Sequence, residues 1–143
     1  MTGTKRIAVA GRYFLDTNVV LYAIDNDDRR TEKARELVFG GGAVISTQVL
    51  NEFVNIAGKK FKLTLPETAT ALGLFKTKCD VVPLTLDIHE QAWEIFTNTN
   101  LGIYDCNIIA AADLAGCGVL YTEDLNHGQR IGRVTIRNPF MME

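Results

Sequence analysis

The stretch from Asp105 to Ala115, DCNIIAAADLA, constrains this chain most. Ile108, Ile109, Ala110, Ala111, Ala112, Leu114 and Ala115 clothe nearly the whole circumference of the helix it would form. A helix that is apolar all round has to be buried on most sides. Gly116 and Gly118 stop it, and the short apolar run Val119 to Thr122 follows at once.

Comparable short runs at Tyr13 to Leu15, Ala43 to Ile45, Val81 to Pro83 and Val134 to Arg137 read as strands. Helical patterns lie between them. Thr31 to Phe39 closes at Gly40, Gly41 and Gly42. Gln48 to about Phe61 places Val49, Leu50, Phe53, Val54, Ala57 and Phe61 on one face. Pro66 begins a helix that Cys79 or Asp80 ends, and Leu86 to Thr97 carries Ile88, Ala92, Trp93 and Phe96. Short strands alternating with helices imply right-handed crossovers and a parallel sheet covered on both faces, an α/β three-layer sandwich. At 143 residues the chain is expected to be a single domain spanning residues 1 to 143. Residues 1 to 12 fit this scheme least and read as an N-terminal extension, whose IAV run suits an added strand or an ordered arm equally.

Composition excludes several functional classes. With 47% hydrophobic and 22% charged residues, the chain is an ordinary folded protein rather than a disordered one. Its net charge of −2 argues against holding nucleic acid by bulk positive charge. Cys79, Cys106 and Cys117 have neither a disulfide-framework pattern nor metal spacing, so they are expected to pack as small hydrophobes in a reducing cytoplasm. The N-terminus lacks an apolar run of signal-peptide length, and no stretch approaches a membrane span.

Four acids stand where apolar segments hand over to loops or helices: Asp16 in YFLDTNVVLY, Glu52 in STQVLNEFVN, Asp105 in GIYDCNIIAAA and Asp124 in VLYTEDLNHG. Each has a plain structural explanation. Asp16 suits a cap for a helix starting at Val19, Glu52 the solvated border of an apolar stripe, Asp105 a cap or first-turn acid, and Asp124 a polar turn. Jointly they describe a carboxylate cluster at the C-terminal ends of strands, where open α/β sheets place ligands. Carboxylates gathered in that way repel one another unless a divalent cation binds, and oxygen donors suit Mg²⁺ or Mn²⁺.

FLDTNVVLY, the Glu of VLNEF, YDCNIIAAA and LYTEDLNHG together resemble the four acidic motifs of the PIN-domain nucleases, in particular the VapC-like toxins of prokaryotic toxin–antitoxin pairs. The resemblance spans roughly residues 12 to 140 and is specific as an ensemble. It implies a five-stranded parallel sheet of order 3-2-1-4-5, with Asp16 and Asp124 on adjacent strands. Position by position it makes Asp16, Glu52, Asp105 and Asp124 the catalytic acids. Asp16, Asp105 and Asp124 become metal ligands, and Asn18 and Thr122 supporting polar residues. The chain departs from the pattern where many relatives carry a further acid past the fourth motif. Asn126 and His127 stand there, which leaves a second metal site open.

The resemblance implies a metal-dependent endoribonuclease that acts as a toxin in the cytoplasm, with an RNA substrate, a cognate antitoxin and a homodimer as its partners. A phosphatase or phosphotransferase with Asp16 as nucleophile is the alternative enzyme, and a non-catalytic nucleic-acid-binding module is a third reading. Phosphate needs local positive surface, which Lys59, Lys60 and Lys62, Lys76 and Lys78, or Arg130, Arg133 and Arg137 are placed to offer. Arg130, on a loop with reach, is the expected phosphate contact. His89 is expected at the surface, and His127 near the site. Leu37, Val38, Phe53 and Ile56 are expected to wall a groove for the antitoxin.

Overall fold

Caps and glycines cut the chain into alternating strands and helices. The computed structural model describes residues 11–26 and 29–141, so the expectation for residues 1 to 12 lies outside it except at Gly11 and Arg12. In order, the elements are β1 (Tyr13–Leu15), α1 (Thr17–Ile24), α2 (Thr31–Phe39), β2 (Ala43–Ser46), α3 (Thr47–Lys59) and α4 (Leu65–Lys78). They continue with β3 (Asp80–Val82), α5 (Leu86–Asn98), α6 (Ile103–Leu114), β4 (Val119–Tyr121), β5 (Arg130–Ile131) and β6 (Val134–Arg137). Ser46 and Thr85 cap α3 and α5, and Thr64 with Glu67 forms a reciprocal capping box on α4.

The strands form one sheet of order β3-β2-β1-β4-β6-β5. The five strands expected from the sequence are all parallel, and their order is the expected 3-2-1-4-5 with β6 as the fifth. The expected count is corrected by one. Arg130–Ile131 folds back antiparallel on β6 through a turn at Gly132, whose φ of +59° is one that glycine adopts without strain.

All four residues of β2 are buried, as expected for a central strand covered on both faces. Phe14, Leu15, Ile45, Leu120 and Ile136 fill the sheet's share of the core. The helix read as apolar all round, α6, buries Ile108, Ile109 and Ala110 to Ala112, packing against α5 on one side and β2, β4 and β6 on the other. Phe53 of α3 and Phe75 of α4 meet edge to face at 4.9 Å and tie those helices together. Gly42 explains the close entry into β2, because a Cβ there would lie 2.0 Å from the Gly11 carbonyl oxygen. Cys79, Cys106 and Cys117 are all buried and free. Among the described residues, no helix is long and apolar enough to cross a membrane.

Candidate functional site

β1 and β4 lie side by side where the strand order reverses, the place where open α/β sheets form a binding crevice. Asp16 is the first residue beyond β1. It caps α1 by accepting the Thr17 amide at 2.7 Å, so the structural role read from the sequence is real, and the same side chain faces the crevice. Its second oxygen accepts the Thr122 hydroxyl at 2.8 Å.

Thr122, just past β4, is fully buried and organises this edge. Its hydroxyl also accepts Asn18 Nδ2 at 3.2 Å and the Asp124 amide at 3.1 Å. One donor and two acceptors are thereby all used. Asn18 donates in addition to Asp124 Oδ2 at 3.0 Å and accepts the Glu123 amide at 3.3 Å. Asp16, Asn18, Thr122 and Asp124 therefore form one hydrogen-bonded unit across two strands.

The other two acids arrive on helices. Glu52, half-buried on α3, accepts the Thr17 hydroxyl at 2.5 Å. Asp105 lies in the first turn of α6, where the helix dipole favours an acid, but Gly102 rather than Asp105 is the cap. Asp16, Glu52, Asp105 and Asp124 line one cavity of about 500 Å³, together with Asn18, Ile56, Lys59, Lys60 and Glu123.

Their electrostatics record the crowding. Burial lifts the Asp16 carboxyl from 3.8 to about 6; the bonds from Thr17 and Thr122 oppose the rise, and the charges of Glu52 and Asp105 add to it. Asp105 is also raised, first by burial and then by Asp124 and Glu52. Glu123, beside them, has its charge engaged elsewhere: Tyr22 donates to it at 2.6 Å and Arg30 Nε at 2.5 Å, with the Arg30 guanidinium 5.0 Å from the Tyr22 ring centre.

A family model for the PIN domain matches residues 13–131, which takes in all four acids. The chain belongs to the PIN-domain family. Its fold is similar to that of solved toxin–antitoxin proteins. Mycobacterium tuberculosis VapC20, described as a sarcin–ricin loop cleaving toxin, superimposes with a TM-score of 0.64 at 22% identity, over 78% of this chain and 89% of that one. VapBC2 of Rickettsia felis, bound to a DNA fragment from its promoter, gives 0.67 at 22% identity over 88% and 97%. A toxin–antitoxin complex from Klebsiella pneumoniae gives 0.67 at 20% identity over 91% and 99%. No curated protein matches the chain by sequence.

PIN-domain nucleases generally use divalent metal ions. Among the described residues, no three His, Cys, Asp or Glu side chains are grouped so as to hold an ion unaided. The donors nevertheless fit a hard cation of the magnesium kind, which is usually held by one or two carboxylates and completes its shell with water and substrate phosphate. Each Asp16 oxygen accepts one hydrogen bond and keeps lone-pair capacity, and Asp105 accepts none among the described residues.

Other expected residues fall elsewhere. Arg130 sits on β5 with Nε donating to the Gly132 carbonyl at 3.1 Å and is not among the residues lining this cavity; Lys59 and Lys60, at the end of α3, are. His127 accepts the Asn138 amide on Nδ1 at 2.9 Å and lines a different cavity. The expected groove walls need correction. Leu37, Val38 and Phe53 are core residues, because the apolar faces of α2 and α3 are spent on packing, and only Ile56 of the four borders the crevice. Thr17, Tyr22 and Glu123 were not singled out from the sequence. Glu123 of the TED run was the available signal, since an acid adjacent to a site acid needs a neutralising partner.

Proposed function

We propose that this PIN-domain chain is a divalent-metal-dependent endoribonuclease, with Asp16, Glu52, Asp105 and Asp124 as its catalytic carboxylates and Mg²⁺ or Mn²⁺ as its cofactor. The observation that carries this reading is the convergence of four acids from four separate segments on one cavity, where burial and mutual charge raise Asp16 and Asp105. A metal ion in this cavity supplies Lewis-acid neutralisation of the phosphate and eases deprotonation of the attacking water.

The protein's own groups do the positioning. Thr17 and Thr122 hold the Asp16 carboxylate in one orientation, and Asn18 fixes Asp124 beside it. Glu52, with one oxygen engaged by Thr17, keeps the other to accept a proton from an incoming water. Asp16, Asp105 and Asp124 would hold the metal ion, directly or through water. Lys59 and Lys60 offset the charge of the approaching phosphate.

The aspartate-nucleophile alternative is less well supported. Asn18, where that chemistry commonly places a second acid, is an amide committed to Thr122 and Asp124. The likeness in fold to VapBC proteins supports a toxin role with a cognate antitoxin as partner, in a homodimer, in the cytoplasm. Incubating the purified chain with structured and single-stranded RNA, with Mg²⁺, Mn²⁺ or EDTA, tests the activity. Internal cleavage with either metal and none in EDTA is the expected result. Cleavage that is indifferent to EDTA contradicts the metal, and an inert chain under all conditions contradicts the enzyme. Co-expression with the adjacent reading frame tests the partner by rescue of growth.

A further inference from the structure

A second cavity, of about 240 Å³, is walled by cations instead of acids. Lys33 reaches it from α2, His127 from the segment between β4 and β5, and Arg137 from the end of β6, with Tyr121 and Asn138 between them. No carboxylate is among its described lining residues. Ion pairs among the described residues join Arg12 to Asp80, Arg30 to Glu123 and Arg133 to Asp113, so neither Lys33 nor Arg137 is neutralised by any of them. His127 accepts the Asn138 amide on Nδ1, which leaves the ring proton on Nε2 as a donor. Three donors from three parts of the chain, with no opposing charge among the described lining residues, suit an anion. Phosphate is the anion that an arginine fork matches best.

Its position ties it to the acids. Arg137 pairs with Tyr121 in the sheet, and its carbonyl accepts the amide of Thr122, the residue whose hydroxyl holds Asp16. β6 lies two strand spacings from β1, about 10 Å, which a nucleic-acid backbone covers in a few nucleotides. We infer that Lys33, His127 and Arg137 form a subsite that grips a backbone phosphate of the RNA, displaced along the strand from the bond cut at the acids. The inference rests on the nuclease reading above and adds the path of its substrate. With Lys59 and Lys60 in the acidic cavity and this subsite at the end of β6, an RNA strand meets cations at both places although the whole chain is acidic.

Fluorescence anisotropy of a labelled single-stranded RNA in EDTA measures binding without cleavage. Lys33 and Arg137 are exposed, so Lys33→Gln with Arg137→Gln should fold normally, which thermal melting checks. The double variant should bind about tenfold more weakly or worse. Its affinity should also depend less steeply on salt, by about one unit of logarithmic slope. His127→Asn, which keeps an acceptor for the Asn138 amide but loses the Nε2 donor, should weaken binding less. Inorganic phosphate should compete only feebly. Equal affinity and salt slope for wild type and double variant overturn the subsite. So does complete displacement of RNA by inorganic phosphate, which marks a free-phosphate site, or a double variant that loses the antitoxin while keeping its RNA affinity. RNA that binds with the expected dependence on Lys33 and Arg137 but is never cut sinks the nuclease reading and leaves the subsite standing.

Discussion

Two acidic cavities among the described residues are of almost the same size, yet they behave as different chemical objects. One, of about 500 Å³, lies at the C-terminal ends of β1 and β4 and gathers Asp16, Glu52, Asp105 and Asp124. The other, of about 510 Å³, runs along α5 and α6 and gathers Asp87, Glu90, Glu94 and Asp113. In the second, Asp87, Glu90 and Glu94 stand on the exposed face of a surface helix, and Asp113 is engaged by Gln91 and Arg133. In the first, Asp16 is only 7% exposed, and a fully buried threonine fixes its direction. A tally of carboxylates does not separate the two. Burial and second partners do, because only a desolvated and oriented acid is costly to keep ionised and therefore gains from a cation.

The largest contrast should come from Asp105→Asn against Asp113→Asn. RNA cleavage should fall at least about a hundredfold in the first, which loses a charge proposed to hold the metal, and stay within about twofold in the second. In EDTA, Asp105→Asn should melt no lower than wild type, since it removes repulsion and no hydrogen bond. A large loss of activity in Asp113→Asn would erase the distinction between the cavities.

Next in size is Thr122→Val. It removes three hydrogen bonds, the one to Asp16 fully buried, and should cost about 2 kcal/mol in denaturant unfolding. Because the Thr122 bond lowers the Asp16 pKa, its loss should also push that carboxyl above about 6, as followed by carboxyl carbon NMR. An unchanged titration would mean that the hydroxyl does not orient the acid.

A smaller effect concerns pH. Folding raises the Asp16 pKa from 3.8 to about 6, so its contribution to stability is complete below the unfolded value and is lost as pH rises through about 6. That loss is about 3 kcal/mol. A divalent ion should restore it, and the rise in melting temperature on adding Mn²⁺ should be greater at about pH 7.5 than at about pH 5. Equal rises at both would show the ion binding away from Asp16. Smallest of all is Arg133→Gln in the second cavity. Its pair with Asp113 is partly exposed, so the cost should stay under about 1 kcal/mol with cleavage unchanged.

Much of this was legible in the chain, for reasons that differ by residue. The five parallel strands could be read because each is a short apolar run bounded by glycine or a capping residue. The helix α6 could be read because few folds accommodate a segment apolar on every side. β5 escaped because two residues carry no periodicity; the glycine-first turn at Gly132 was its single trace. The four acids could be placed together because each follows a strand or opens or borders a helix, and topology fixes where such points meet. Long side chains were another matter. Arg130 was favoured for its loop, yet it bonds back to the Gly132 carbonyl, while Lys59 and Lys60 reach the crevice from a helix end that the sequence explains equally well as dipole compensation. Leu37, Val38 and Phe53 read as groove walls but lie in the core, because an apolar face does not declare whether it meets the chain's own core or a partner.

The cavity at β1 and β4, and not the one along α5, is the proposed metal site. Paramagnetic broadening by substoichiometric Mn²⁺ in amide NMR spectra reads both at once, without any need for activity. The amides of Thr17, Asn18, Asp105 and Asp124 should broaden first, and those of Asp87, Glu90, Glu94 and Asp113 should stay sharp. Broadening that begins along α5, or that spreads over both acidic faces alike, would rule out a metal site built on Asp16.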